Sequence, residues 1–148
     1  MQDYKRKEYK VFELFDKKWA LVTAGNIQHY NCCTVSWGSL GNIWGTAGNS
    51  RSTVTVYVHP ARYTSEVLKE SDIFTVSFYP ETSRKALGYL GSHSGRNENK
   101  IETVGFTPVK MGLPKICYIF QYESVFFTKH VFFMTIYSRN PPVDEISP

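Results

Sequence analysis

The stretch N-C-C-T-V-S-W-G-S-L-G-N-I-W-G at residues 31–45, followed by T-V-T-V-Y-V-H-P-A-R-Y-T at residues 53–64, decides how the chain is read. It holds two strand-like runs, a Gly-rich polar turn and a strand-to-helix junction that carries one arginine. Cys33, Val35 and Trp37 alternate with Thr34 and Ser36, the pattern of a strand with one face on a core and the other on a cleft. Gly38, Gly41, Gly45 and Gly48 recur without the apolar positions a buried strand needs, so this part is expected to be a turn with exposed backbone amides. The combination points to a site for a flat, anionic ligand.

Outward from that stretch, Lys18–Thr23 reads as a strand ended by a turn at Ala24, Gly25 and Asn26. A strand through Cys33–Trp37 follows. In Thr53–Val58, Val54, Val56 and Val58 share one face, while Thr53, Thr55 and Tyr57 share the other. His59-Pro60 ends it, because proline cannot donate to a ladder. Tyr63 and Thr64 open a short helix to about Lys69, with Thr64 as the expected N-cap and Glu66 in its first turn. Phe74–Phe78 is a further strand. Pro80–Leu90 is a second helix capped by Thr82 or Ser83, burying Leu87 and Leu90. Residues 91–96 form a polar loop, and Asn97–Val104 is a weak third helix stopped by Gly105. Early strands that follow one another without crossover helices argue against a parallel α/β sheet. The expected class is mainly β, a small β-barrel with inserted short helices.

A length of 148 residues suits one domain, 1–148, with a real core. With 42% hydrophobic, 20% charged and 16% aromatic residues, the composition excludes a disordered or collagen-like chain. Net charge is +4, and residues 84–115 hold six Lys/Arg against two Glu. Such a local field suits a phosphate-bearing small ligand, whereas nucleic acid would demand a denser run, so no nucleic acid is expected. Met1–Lys18 is charged throughout and has no apolar signal region, which predicts a cytoplasmic protein. The most apolar run, Ile116–Tyr137, is broken by Glu123, Lys129 and His130 and falls short of a membrane span of about 20 apolar residues. Three cysteines are too few and too badly spaced for a zinc site or a disulfide framework, so no metal is expected. Cys32 and Cys33 read as small strand residues. The chain shows no Ser-His-Asp arrangement, paired carboxylates, P-loop or G-x-G-x-x-G fingerprint. Its chemistry must come from a cofactor, and no side chain is expected to be catalytic.

The strings N-C-C-T-V-S-W-G-S-L-G-N-I-W, V-Y-V-H-P-A-R-Y-T, F-T-V-S-F-Y-P-E and K-A-L-G-Y-L-G-S-H-S-G-R-N-E-N-K-I, in that order, resemble the flavin reductase-like family over residues 15–110. The chain departs from the family pattern in three places. Cys33-Thr34 stands for Met-Thr, His59 for an arginine that often precedes the proline, and Asn99 for an Asp that often precedes the lysine. The resemblance implies an FMN-binding split β-barrel, FMN as cofactor and NAD(P)H as electron donor. It implies hydride transfer to flavin or, alternatively, a flavoredoxin-like electron carrier without its own NAD(P)H turnover; flavin binding as a structural relic is a third reading. It also implies a homodimer and an electron-acceptor protein as partner.

Residue by residue, the resemblance assigns the phosphate to Arg62, Tyr63 and Thr64 at the start of a helix. Thr34, Ser36, Trp37 and Gly38, with Asn31, would lie along the isoalloxazine edge. Ser92, His93, Ser94 and Gly95, with the charges of Arg96 and Lys100, would form a second wall. Each has a plainer reading: Arg62 as a solvated arginine, Thr64 as a cap, Trp37 as core and 92–96 as a solvated loop. His93 is not expected to be an acid or base, since hydride transfer needs positioning more than a proton relay. The resemblance stops at about Lys110-Met111. Residues 111–148 are expected to be either a frame-shifted or truncated ending of a longer reductase gene or a divergent pair of closing strands.

Overall fold

In the computed structural model the described residues are 11–44, 50–71, 73–110, 117–119 and 124–128. The core grows from two strands that are buried on both faces, β1 (Ala20–Gly25) and β5 (Phe74–Phe78). They pair antiparallel with Val22 opposite Val76. On one side β1 pairs β2 (Tyr30–Val35), and on the other β5 pairs β8 (Ser124–Thr128), giving the order β2-β1-β5-β8. The period of two sends Ala20, Val22, Ala24, Cys33, Val35, Phe74, Val76 and Phe78 to one face. There they meet Leu14, Phe15, Val56, Val58, Val67 and Leu68, with the Phe15 and Phe78 rings edge-on at 5.3 Å. Leu21 and Cys32 go to the other face and meet Tyr79, Leu87, Leu90, Ile101 and Phe106. Truncating any large member of either core to alanine should cost about 2–5 kcal/mol.

A separate antiparallel ribbon is made by β3 (Gly38–Trp44) and β4 (Ser50–Val56). β6 (Pro108–Lys110) pairs with β7 (Cys117–Ile119). Among the described residues four short α-helical segments decorate these strands: α1 (Val11–Glu13), α2 (Tyr63–Lys69), α3 (Arg84–Ser92) and α4 (Lys100–Thr103). This is the mainly β, helix-decorated arrangement that the sequence predicts.

Several local expectations are corrected. The first strand begins at Ala20 and runs through Gly25, because Leu14–Lys18 forms a π-helical turn and Trp19 then reverses the chain at φ 58°. That conformation is costly for a tryptophan. It is held by Arg84, whose guanidinium lies 3.3 Å above the Trp19 ring and donates to the Lys17 carbonyl. The second strand ends at Val35, leaving Trp37 69% exposed at the junction with β3. The part of the glycine-rich turn at Gly38–Trp44 is a strand, while Gly45 and Gly48 lie outside the described residues. Gly38 lets β3 close on β4, since a Cβ there would stand 2.5 Å from the Thr55 carbonyl and 2.6 Å from the Phe15 ring. Thr64 is not the N-cap of α2; Arg62 occupies that position without a side-chain cap, and Thr64 is fully buried. The second helix is α3 preceded by a 3₁₀ turn at Glu81–Ser83, and it continues to Ser92. Asn99 caps α4 by accepting from the Glu102 amide, and Gly105 stops it at φ 73°. Of the tail, β7 and β8 are paired strands, whereas residues 111–116, 120–123 and 129–148 lie outside the described residues.

Lys100 ties the helical layer together. It is 3% exposed, and its ammonium donates to the carbonyls of Leu90 (2.7 Å) and His93 (3.0 Å) at the end of α3. Burial holds it below the usual lysine range, with Arg62 acting in the same direction and Cys32, Cys33 and Glu98 against it. Between that lowered value and 10.5 the unfolded chain binds more protons than the fold, so this site adds stability as pH rises. Below the lowered value the cost of burying the charge is fully present. Urea titrations from about pH 7 to about pH 10 should therefore show wild type gaining on Lys100→Met; a constant difference would contradict the assignment.

Two glycines predict opposite outcomes. Gly88 lies in α3 with nothing within 4 Å of a would-be Cβ, so Gly88→Ala should stabilise by about 0.5–1 kcal/mol. Gly25 sits at φ 96°, and a Cβ there would stand 2.1 Å from the His29 carbonyl, so Gly25→Ala should destabilise by at least about 1–3 kcal/mol. Denaturant unfolding of both variants checks the pair.

Candidate functional site

A cavity of about 410 Å³ opens between the β1–β2 turn, the start of α2 and the loop that leads into α4. Of the residues singled out from the sequence, it brings together Asn31, Tyr63, Gly95, Arg96 and Lys100. They come from four separate parts of the chain, and the register of β2 decides the innermost of them. Asn31 lies opposite Ala24, on the same face as Cys33 and Val35, so its amide points into the interior and is 4% exposed. Its Nδ2 donates to Thr64 Oγ1 at 2.9 Å, joining β2 to α2. Its Oδ1 would be 2.2 Å from a Cβ on Gly95, so the loop backbone packs on the amide as only glycine allows.

Tyr63 and Arg96 form the outer wall. The Arg96 guanidinium lies 5.2 Å from the Tyr63 ring centroid, pairs with Glu66 and donates to the Ala61 carbonyl at 3.4 Å. His29 Nε2 stands 3.1 Å from Tyr63 Oη across the mouth. Arg62 is exposed beside this wall and close enough to Cys33 and Lys100 to act on both electrostatically. Burial pushes the Cys33 thiol up, while Thr64, Lys100 and Arg62 pull it the other way. That thiol is a packed neighbour of the cavity and not a nucleophile.

The remaining predicted residues lie elsewhere. Thr34 donates its hydroxyl to the Leu87 carbonyl at 2.6 Å and packs under Gly91, so it fastens α3 to β2. Ser36 and Trp37 are exposed at the β2–β3 junction, where the Tyr57 amide donates to the Trp37 carbonyl at 3.2 Å. Gly38 is taken up by Phe15 and Thr55. Thr64 accepts from Asn31 through its hydroxyl oxygen and acts on the Cys33 thiol. Ser92 donates to the Gly88 carbonyl at 2.9 Å, and His93 stacks on Tyr89 with ring centroids 3.7 Å apart. Ser94 accepts from the Arg96 amide at 3.3 Å and so shapes the loop that carries Arg96. The Glu98 carboxylate accepts from Tyr89 Oη at 2.6 Å, which raises the phenol above its usual range.

Sequence reasoning missed Gln28, His29, Tyr30, Asn97, Glu98, Asn99 and Ile101 as lining residues. The Gly25-Asn26 turn signal was the available clue: a hairpin closed there must carry residues 28–30 back beside Asn31. Chemically the site offers amides, two phenols, an imidazole, the cationic side chains of Arg96 and Lys100 and the Glu98 carboxylate around a recess within the about 300–1,000 Å³ usual for small ligands, with Arg62 exposed beside it. That donor set matches the phosphate-bearing, polar end of a nucleotide-like ligand.

Comparison with known proteins gives the family and the fold. The sequence model of the flavin reductase like domain matches residues 12–119. Among solved structures, the chain is similar to an FMN-binding domain of a flavin reductases-like enzyme from Shewanella baltica, with a TM-score of 0.63 and 18% identity over 80% of this chain and 60% of that one. It is similar to the flavoredoxin of Desulfovibrio vulgaris, with a TM-score of 0.60 and 20% identity over 85% of this chain and 65% of that one. An FMN-binding protein from Thermus thermophilus aligns with a TM-score of 0.61 and 19% identity over 86% and 67% of the two chains. The chain thus spans 60–65% of the length of the first two. Comparison with curated proteins gives no match. Among the described residues, no helix is long and apolar enough to cross a membrane. With its family sequence match over 12–119 and the split-barrel fold of these neighbours, the chain belongs to the flavin reductase-like family.

Proposed function

We propose that this protein binds FMN in the cavity between the β1–β2 turn, α2 and the loop before α4, and that the flavin takes a hydride from NAD(P)H. The observation that carries the reading is the convergence of Asn31, Tyr63, Gly95, Arg96 and Lys100 on one recess in a chain of this family. Arg62 and Arg96 supply cationic donors for the phosphate, and Tyr63 adds a hydroxyl. Lys100 holds a buried positive charge behind it. The bound flavin would supply the redox chemistry, and the side chains bind and orient it.

In this reading Thr64 acts through Asn31, and Thr34 through the seating of α3, each as a support and not a direct donor. Ser36, Trp37 and Gly38 belong to a surface outside the cavity. We place them against the ring only in a homodimer, whose second copy would meet the exposed Trp37 and the 39% exposed Tyr57. Ser92 and His93 stay with Tyr89. A soluble cytoplasmic setting and an electron-acceptor protein remain part of this proposal.

A second reading is a flavoredoxin-like carrier, to which the fold similarity to the flavoredoxin of Desulfovibrio vulgaris lends support. Anaerobic mixing of the protein with FMN and NADH or NADPH separates the two. Bleaching of the visible flavin band marks a reductase; bound, unbleached flavin marks a carrier.

Equilibrium dialysis should give about one FMN per chain, and a folded protein that retains none would overturn the reading. Arg62→Ala should weaken FMN by about 1.5–3 kcal/mol, roughly ten- to a hundredfold, and leave riboflavin nearly unchanged. Equal losses for both ligands would assign Arg62 to the fold or the ring instead of the phosphate.

A further inference from the structure

The turn between β1 and β2 is built more firmly than a connection requires. The Asn26 amide donates to the His29 carbonyl at 2.9 Å and receives the His29 amide on its own carbonyl at 3.1 Å. Asn26 Oδ1 accepts from the amides of Gln28 (2.9 Å) and His29 (3.0 Å). Gly25 allows the close approach from below. The outcome is a fixed backbone at His29, two residues before Asn31, with the imidazole aimed across the cavity mouth. Nε2 is 3.1 Å from Tyr63 Oη, and the rings lie 6.3 Å apart at 41°.

This contact has one consequence for any ligand of the cavity. When Nε2 carries no proton, Tyr63 gives its O–H to the imidazole and turns oxygen lone pairs toward the cavity. When Nε2 carries a proton, Tyr63 Oη accepts from His29, and the phenol O–H is released to donate elsewhere. An imidazolium always carries that proton, and it adds a positive charge as well. Other charged groups around the site are Arg62 just before α2, Glu66 on α2, Arg96 and Glu98 on the loop, and Lys100 on α4. Glu66 is paired with Arg96, and Glu98 accepts from Tyr89 through one oxygen, so each nearby carboxylate has a partner other than His29.

We propose that His29 is a positioning and specificity residue of this site: its Nε2–H fixes Tyr63 as an acceptor, frees the Tyr63 hydroxyl to bind a ligand phosphate, and thereby selects phosphorylated over unphosphorylated ligands. The proposal rests on the FMN reading for the ligand, but its core claim, coupling between His29 protonation and a bound phosphate, stands on the His29–Tyr63 geometry. By linkage, a phosphate held there must favour the protonated imidazole to the same degree that the protonated imidazole favours the phosphate.

The test follows the His29 ring resonance by NMR in the full chain between about pH 5 and about pH 8, identified by its loss in His29→Gln. Inorganic phosphate and FMN should each raise the titration midpoint by about 0.7–1 unit, equivalent to a five- to tenfold coupling; riboflavin should not. Tyr63→Phe should remove the response. His29→Gln, a neutral donor, should flatten the pH dependence of the FMN-over-riboflavin preference. A midpoint unmoved by phosphate and FMN, or moved equally by riboflavin, would overturn the proposal while FMN binding itself stands. A shift with phosphate in a protein that does not retain FMN would support His29 selection and sink the FMN reading instead.

Discussion

One buried hydrogen bond, from Asn31 Nδ2 to Thr64 Oγ1 at 2.9 Å, holds the site to the fold. Asn31 occupies a position on β2 whose neighbours on the same face, Cys33 and Val35, belong to the core. An amide left unpaired there would cost about 1–3 kcal/mol. The bond satisfies it only if α2 docks with Thr64 inward, and the remaining oxygen only admits the loop if residue 95 has no side chain. Strand, helix and loop are therefore located by a single side chain. Arg62, Tyr63 and Arg96 inherit their positions from it, since two immediately precede Thr64 in sequence and the third follows Gly95.

The electrostatics follow the same plan. Lys100 is kept out of water by the end of α3, and its hydrogens meet carbonyls rather than a carboxylate. The positive charge is thus hydrogen-bonded to dipoles and helped at a distance by Glu98, while burial still holds its pKa down, an arrangement that an added anion would favour. Arg96, by contrast, stands ready on the surface with Glu66 as its present partner. A phosphate would have to compete with that carboxylate, so the exposed arginine contributes less than its charge suggests, and the buried lysine more.

How much of this was legible in the sequence depended on whether the deciding force was local. Phe74–Phe78 was read with its observed limits because every side chain in it favours a pleated, buried strand. Leu87 and Leu90 fell on the buried face of α3 because the helical period alone places them there. β3 was missed because its residues are polar and glycine-rich: it is a ribbon strand whose Gly38 answers to the Phe15 ring and the Thr55 carbonyl, partners remote in the chain. Thr64 was misread as a cap because a hydroxyl near a helix start usually serves the backbone, whereas here it serves Asn31, thirty-three residues away. Asn31, Tyr63, Gly95, Arg96 and Lys100, singled out through their motif strings, line one cavity, yet Lys100 is an internal post. His29 carried no motif. Only the β1–β2 register brings it to Tyr63.

The adjacency of Cys32 and Cys33 acquires a use from the strand that holds them. Neighbours on a strand point to opposite sides, so Cys32 is packed with Leu87, Leu90 and Ile101, and Cys33 with Val22, Val56 and Val67. Both thiols are reduced and buried. An alkylating reagent reaches either one only when the layer above it opens, which makes the two rates independent clocks for local unfolding on the two sides of the sheet. The helical layer and the ribbon layer can therefore be timed separately in the unmodified chain, from probes one residue apart.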